Sequence, residues 1–261
     1  TKVNSENSVS FNYPKFTPSN SGLTLQGSAK VSDSGVLELT RRTGSDRNVG
    51  RVVYTNPIPI WDKKTDNLAS FVSSFSFIME TIAGSSPAQG IIFFLTDPSG
   101  FQIPSHSFVG KLGVVDANRA DNNFVGVEFD VYSNPWDPNY THIGINPYGL
   151  YSSKLVKWNY VSGSLVNVKI IYDSHSTTLS VVAIDNRGQI STISLMVDLR
   201  CLLSETAVIG LSGSSGISRS SGNEQLHNIH SWSFTSTLDP TIRLMSSNII
   251  NNITVTDASY Y

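Results

Sequence analysis

Charge and sulfur are both scarce in this chain. Only 15% of its 261 residues are Asp, Glu, Lys or Arg, they sum to −2 at neutral pH, and no run of five like charges occurs. That distribution excludes the basic footprint of a nucleic-acid binder and the cationic helix drawn to a membrane surface. The one cysteine, Cys201, rules out an internal disulfide and cannot complete a metal site alone, so a small buried side chain is expected there. Apolar runs fall well short of the roughly 18 residues that cross a bilayer, and membrane insertion is not expected. Helical periodicity is missing as well; Leu199 to Ser204 offers material for a single turn.

What fills the chain is alternation with a period of two. In "LASFVSSFSFIME", Phe71, Ser73, Phe75, Phe77 and Met79 share one face, as a half-buried strand requires. Similar runs rich in Val, Ile, Phe and Thr follow at Gly90 to Leu95, Phe124 to Val131, Leu165 to Tyr172, Thr177 to Ile184, Ile190 to Val197, Ala207 to Ser212 and Ile229 to Thr235. Asp185 to Gly188 reads as a hairpin turn between two of them. Many strands without helices predict an all-β fold, a sandwich or jelly roll of two antiparallel sheets with essentially no helix. With no repeat or linker before residue 240, residues 1–240 are expected to form one domain and 241–261 a polar tail. A start at Thr1 and not Met, with sequons at Asn139 and Asn252, predicts a processed glycoprotein of the secretory route.

The densest chemistry lies in "EFDVYSNPWDPNYTH". Glu128, Asp130, Tyr132 and Asn134 share parity and face one way for as long as the strand stays extended. Neighbouring carboxylates raise each other's pKa unless a cation or a shared proton relieves them. One reason to pair them is glycoside hydrolysis, and "EFDVYSN" looks like the active strand of the glucanase sandwich family. That family places a second Glu where this chain has Ser133 or Asn134, neither of which can donate the proton, so an enzyme is not expected. The other reason is metal: Asp137 and His142 follow on a loop stiffened by Pro135 and Pro138, and the mixture of carboxylate, amide and imidazole suits two ions of different hardness. A solvated turn carrying one surface histidine is the plainer alternative.

These residues resemble the legume lectins, whose pattern runs "VEFD", an aromatic, an Asn, "WDP" and "HIGI". Blocks such as "VSFNYPKF", "GRVVY", "PIPIWD", "KWN", "IIYD" and "SWSFTSTL" agree in family order over about residues 8–238. The resemblance implies a jelly-roll sandwich of a storage vacuole or the extracellular space, forming a homodimer or homotetramer and serving plant defence or storage. It implies one transition ion, Mn²⁺ or another metal, on Glu128, Asp130, Asp137 and His142, with Ser152 bonding a metal-bound water. Ca²⁺ would take Asp130, Asp137, the Asn134 amide oxygen and the Tyr132 carbonyl. From Asn134 to Asp137 the loop is one residue shorter than in many members.

At the sugar site the chain departs from the pattern. The family's Ala-Asp-Gly, entered through a cis peptide, is here "PAQG", so Gln89 replaces a charged acceptor and the geometry of the Ala88–Gln89 bond stays open. "PSHSFVG" places His106 and Ser107 where many members carry Gly-Gly. Tyr132 and Asn134 keep the stacking aromatic and the amide, and Ile217 and Ser218 lie near the expected specificity position. The expectation is a glycan or glycoprotein binder with weak or altered specificity through Gln89, Ser107, Tyr132, Asn134, Ile217 and Ser218. The alternatives are a lectin-like storage or defence protein of the arcelin or amylase-inhibitor type, and a hydrophobic-ligand binder at a subunit interface.

Overall fold

The computed structural model describes residues 7–42, 48–116, 123–216 and 224–238. Two antiparallel sheets face each other. The outer sheet runs, in spatial order, Ile190–Met196, Thr178–Asp185, Leu165–Asp173, Ser70–Thr81, Gln225–Thr237, Leu37–Glu38 and Lys30–Val31, with Ser8–Tyr13 also paired to Gln225–Thr237. The site sheet runs Lys154–Lys157, His142–Asn146, Phe124–Asp130, Gly90–Thr96, Thr206–Ser215, Asn48–Tyr54 and Leu23–Gly27. The predicted two-sheet all-β sandwich is therefore the fold.

The outer sheet obeys the alternation read from the sequence. Phe71, Ser73, Phe75, Phe77 and Met79 are buried while Val72, Ser74 and Ile78 stay partly open. Between the sheets Phe77 meets Phe129 edge-on at 5.0 Å and Trp158 packs on both. Each buried phenylalanine of this kind stabilises the fold by about 2 to 3 kcal/mol.

The site sheet departs from simple alternation because it is buried on both faces. Behind it lies a second apolar cluster of Val53, Ile92, Phe94, Leu112, Val114, Val115, Phe124 and Val208. The segment after Thr96 folds back to supply three of these residues, so "GIIFFLT" and "FVGVEFD" are buried at every position. The same segment forms one wall of the candidate site.

Short 3₁₀ turns form at Pro98–Gly100, Val109–Lys111 and Leu199–Cys201, and the described residues contain no α-helix. None of these is long and apolar enough to cross a membrane. The Asp185–Gly188 turn forms as expected: the Asp185 carboxylate accepts from the Arg187 and Gln189 amides, and Gly188 takes φ +83°. Cys201 corrects the expectation of burial. In its short turn Leu199, Leu202 and Leu203 occupy the inward positions, and the thiol is exposed.

Candidate functional site

Strand Phe124–Asp130 delivers the first two carboxylates. Val127 and Phe129 enter the main core, which turns Glu128 and Asp130 to the other face. The extended geometry ends at Asp130, so Tyr132 and Asn134 owe their positions to the following loop and not to strand parity. His142 opens the neighbouring strand directly opposite Asp130. The loop between them closes on itself: the Asn134 N–H donates to Asp137 Oδ2 at 2.9 Å, the Asp137 N–H returns to the Asn134 carbonyl at 3.0 Å, and Ser133 Oγ donates to the Pro138 carbonyl.

These turns bring Glu128, Asp137 and His142 together, with one ligand atom of each within 4.8 Å of the others. His142 Nε2 lies 3.2 Å from Glu128 Oε1, and Ser152 Oγ donates to the same oxygen at 2.5 Å. Gly144 makes this fit possible. A Cβ there would stand 2.0 Å from Ser152 Oγ and 2.7 Å from Glu128 Oε1.

The electrostatics call for a cation. Burial, followed by the charges of Glu128 and Asp137, holds the Asp130 carboxyl well above the usual range, despite an N–H bond from Tyr132. Burial also pushes Asp137 up to about 6, partly offset by the Asn134 N–H. Burial disfavours the charged His142 imidazole, but Glu128 and Asp137 outweigh it and the net shift is upward. A divalent ion would relieve three crowded carboxylates better than one proton shared with an imidazole. Asn134 adds a neutral oxygen donor: its Oδ1 is buried without a partner. By donor chemistry the grouped Glu128, Asp137 and His142 suit a transition ion; Asp130 is not part of that 4.8 Å group, although its carboxyl feels the charges of Glu128 and Asp137.

Beside this cluster opens a depression of about 480 Å³ between residues 106–111 on one side and Asn134 and Trp136 on the other. Gly110 lies flush against the Asn134 amide, where a Cβ would come within 2.5 Å of Oδ1. Gly110, Phe108 and Trp136 were not singled out from the sequence; the glycine in "SFVGKLG" and the tryptophan between two prolines were the available signals.

The other predicted contact residues are placed as follows. Ser107 is fully buried and its hydroxyl donates to the Pro104 carbonyl at 2.7 Å, so it turns into the loop and away from the depression. Gln89 is also fully buried, with both amide atoms unpartnered and φ at +54°. Its peptide bond to Ala88 is trans, and its carbonyl accepts from Val131 N–H at 3.0 Å. Tyr132 is half-buried and does not line the depression. Ile217, Ser218 and Asn252 lie outside the described residues, and Asn139 is exposed.

Comparison with known proteins agrees with this fold. The legume lectin domain matches residues 8–249. A bark agglutinin of Robinia pseudoacacia is 50% identical over 95% of this chain and 89% of its own length. The galactose-binding lectin of Arachis hypogaea is 45% identical over 95% of this chain and 89% of its own. The solved seed lectin of Lotus tetragonolobus superposes with a TM-score of 0.83 at 42% identity, covering 88% of this chain and 99% of that one. The chain belongs to the legume lectin domain family, whose members are non-enzymatic carbohydrate-binding proteins.

Proposed function

We propose that this chain binds carbohydrate in the depression between Gly110 and Asn134, supported by Ca²⁺ and a Mn²⁺-type ion, and that Gln89 makes its sugar site atypical. Legume lectins generally bind calcium and manganese. Glu128, Asp130, Asp137 and His142 would hold the transition ion; Asp130, Asp137, Asn134 Oδ1 and the Tyr132 carbonyl would hold calcium. When bound, the ions supply positive charge that keeps the carboxylates ionised and fixes the loop.

The observation that carries the reading is Asn134. Its backbone bonds Asp137, its Oδ1 is buried without a partner, and its amide packs on Gly110 at the depression. One residue joins the cation site to the ligand site. An amide held in place by both walls can bond a sugar hydroxyl, and Trp136 and Phe108 offer apolar faces for the C–H side of a pyranose. Gln89 supplies no carboxylate, and its amide is sealed from solvent. Loss of a charge-assisted bond weakens binding by about 1.5 to 3 kcal/mol, roughly ten- to hundredfold.

Galactose is a suitable first probe, because one relative is named for binding it and the similar lectin UEA-II was solved in complex with it. Calorimetry with galactose and a glycan array, both in Ca²⁺ and Mn²⁺, test the reading; the absence of any sugar ligand would sink it. Gln89 does not line the depression, so Gln89→Asp decides its part: stronger binding at constant metal content marks this position as the impaired one, and no change places the ligand elsewhere or leaves the other loops blocking it. The same reading includes a secretory location, which glycan occupancy at Asn139 would check, and a homodimer or homotetramer, which light scattering would check.

A further inference from the structure

Three side chains stand in one row across the site sheet. Gln26, Arg51 and Ser212 are direct partners on adjacent strands, and all three reach the segment that folds behind that sheet. Arg51 is 1% exposed, and its guanidinium lies 4.4 Å from the Phe94 ring centroid. It donates to the carbonyls of Gln102 and Gly113 at 3.1 Å each and of Gly100 at 3.0 Å. Gln26 Nε2 donates to the Phe101 carbonyl at 2.8 Å, and Ser212 Oγ to the Leu112 carbonyl at 2.5 Å. These acceptors bracket residues 103–111, which include the wall of the depression.

The position of the charge is unusual. Burial lowers the Arg51 pKa to about 9, which leaves the group protonated at neutral pH. Among the described residues no carboxylate forms an ion pair with it, so main-chain oxygens and an aromatic face take that place.

The turn between the bracketed ends is strained. Val109 and Leu112 adopt φ of +61° and +51°, a left-handed conformation that a β-branched residue in particular avoids. Such a conformation persists only where the surroundings over-determine it. It is this turn that sets Gly110 against the Asn134 amide.

We propose that Arg51, flanked by Gln26 and Ser212, is a positioning residue for ligand binding: it holds the strained turn at Val109–Leu112 and so fixes the wall of the depression without touching the ligand. The binding part of this inference rests on the carbohydrate reading above.

Arg51→Met and Arg51→Lys, made in the full chain with Ca²⁺ and Mn²⁺ present, test it. Hydrogen exchange would be followed at the Leu112, Gly113 and Val114 amides, which bond Val109, Ser107 and Lys111, and at the core amides of Phe93 and Phe129. In Arg51→Met the loop amides should exchange about tenfold faster or more, with core amides and metal content unchanged. Galactose affinity should fall about tenfold, and Arg51→Lys should lie between Arg51→Met and the unmodified protein in both measurements. An arginine with only a general structural role would speed exchange throughout the sandwich. Wild-type exchange at the loop amides, or unchanged affinity with a loosened loop, would overturn the proposal. If Arg51→Met does not fold, Gln26→Leu on the edge strand carries the same test, with a smaller effect of about threefold expected. If the unmodified protein binds no galactose, the exchange measurement still decides whether Arg51 holds the turn.

Discussion

Acid should weaken this fold through one histidine far from the cation cluster. His227 is fully buried; its Nε2 lies 3.1 Å from Gln225 Oε1 and its Nδ1 2.9 Å from Thr40 Oγ1. Gln225 in turn donates through Nε2 to Tyr160 and Thr81, which leaves its Oε1 as the acceptor and assigns the imidazole proton to Nε2. Burial drives the pKa from 6.5 to about 3. With the folded value below the unfolded one, the contribution to stability is complete above about pH 6.5 and is lost as the pH falls towards 3. At pH 4.5, about two units below the ordinary value, the loss is about 3 kcal/mol, a large share of the 5 to 15 kcal/mol typical of a domain. His227→Gln should be less stable than the parent at pH 7.5 by about 1 to 3 kcal/mol, because the buried bonds are remade poorly. It should lack this component of the acid slope. Urea unfolding of both proteins between pH 7.5 and 4.5, at matched metal content, measures the difference. Parallel stability curves across that range would refute the reasoning.

Other expectations concern the site itself. Gly144→Ala, which forces a methyl onto Ser152 and Glu128, should weaken metal binding about ten- to hundredfold in a chelator titration. Gly110→Ala should displace the Asn134 amide and lower sugar affinity about tenfold or more, while the melting temperature shifts by only a few degrees. Chelation should lower the melting temperature at pH 7, and the gap between loaded and chelated protein should narrow towards pH 5. Asp130 and Asp137 carry raised folded pKa values, so protonation in that window stabilises the metal-free form. Differential scanning fluorimetry at both pH values reads this gap, and a gap that widens on acidification would contradict it.

The acidic cluster was legible because its residues lie within fifteen consecutive positions, "EFDVYSNPWDPNYTH", and two of them share strand parity. Long alternating strands such as Ser70–Thr81 could likewise be read directly. Asn48–Tyr54 could not be read this way, since nearly every position is buried and its arginine belongs to the interior. The role of Arg51 depends on carbonyls about fifty to sixty residues away, which no local pattern announces. Ser107 was drawn into the sugar site by its place in the loop; the structure points its hydroxyl at Pro104 and gives the approach to Asn134 to Gly110.

The Gln26–Arg51–Ser212 row grips its loop only by the main chain. Every one of its bonds ends on a carbonyl oxygen, so the grip does not depend on the identity of the side chains at 103–109 or 111. That division separates what the loop rests on from what it displays. Directed evolution of ligand choice can randomise the exposed positions of this loop, keeping the buried Ser107 and the conformationally special Val109, Gly110 and Gly113, and start from libraries whose backbone is held by bonds that no randomised side chain makes.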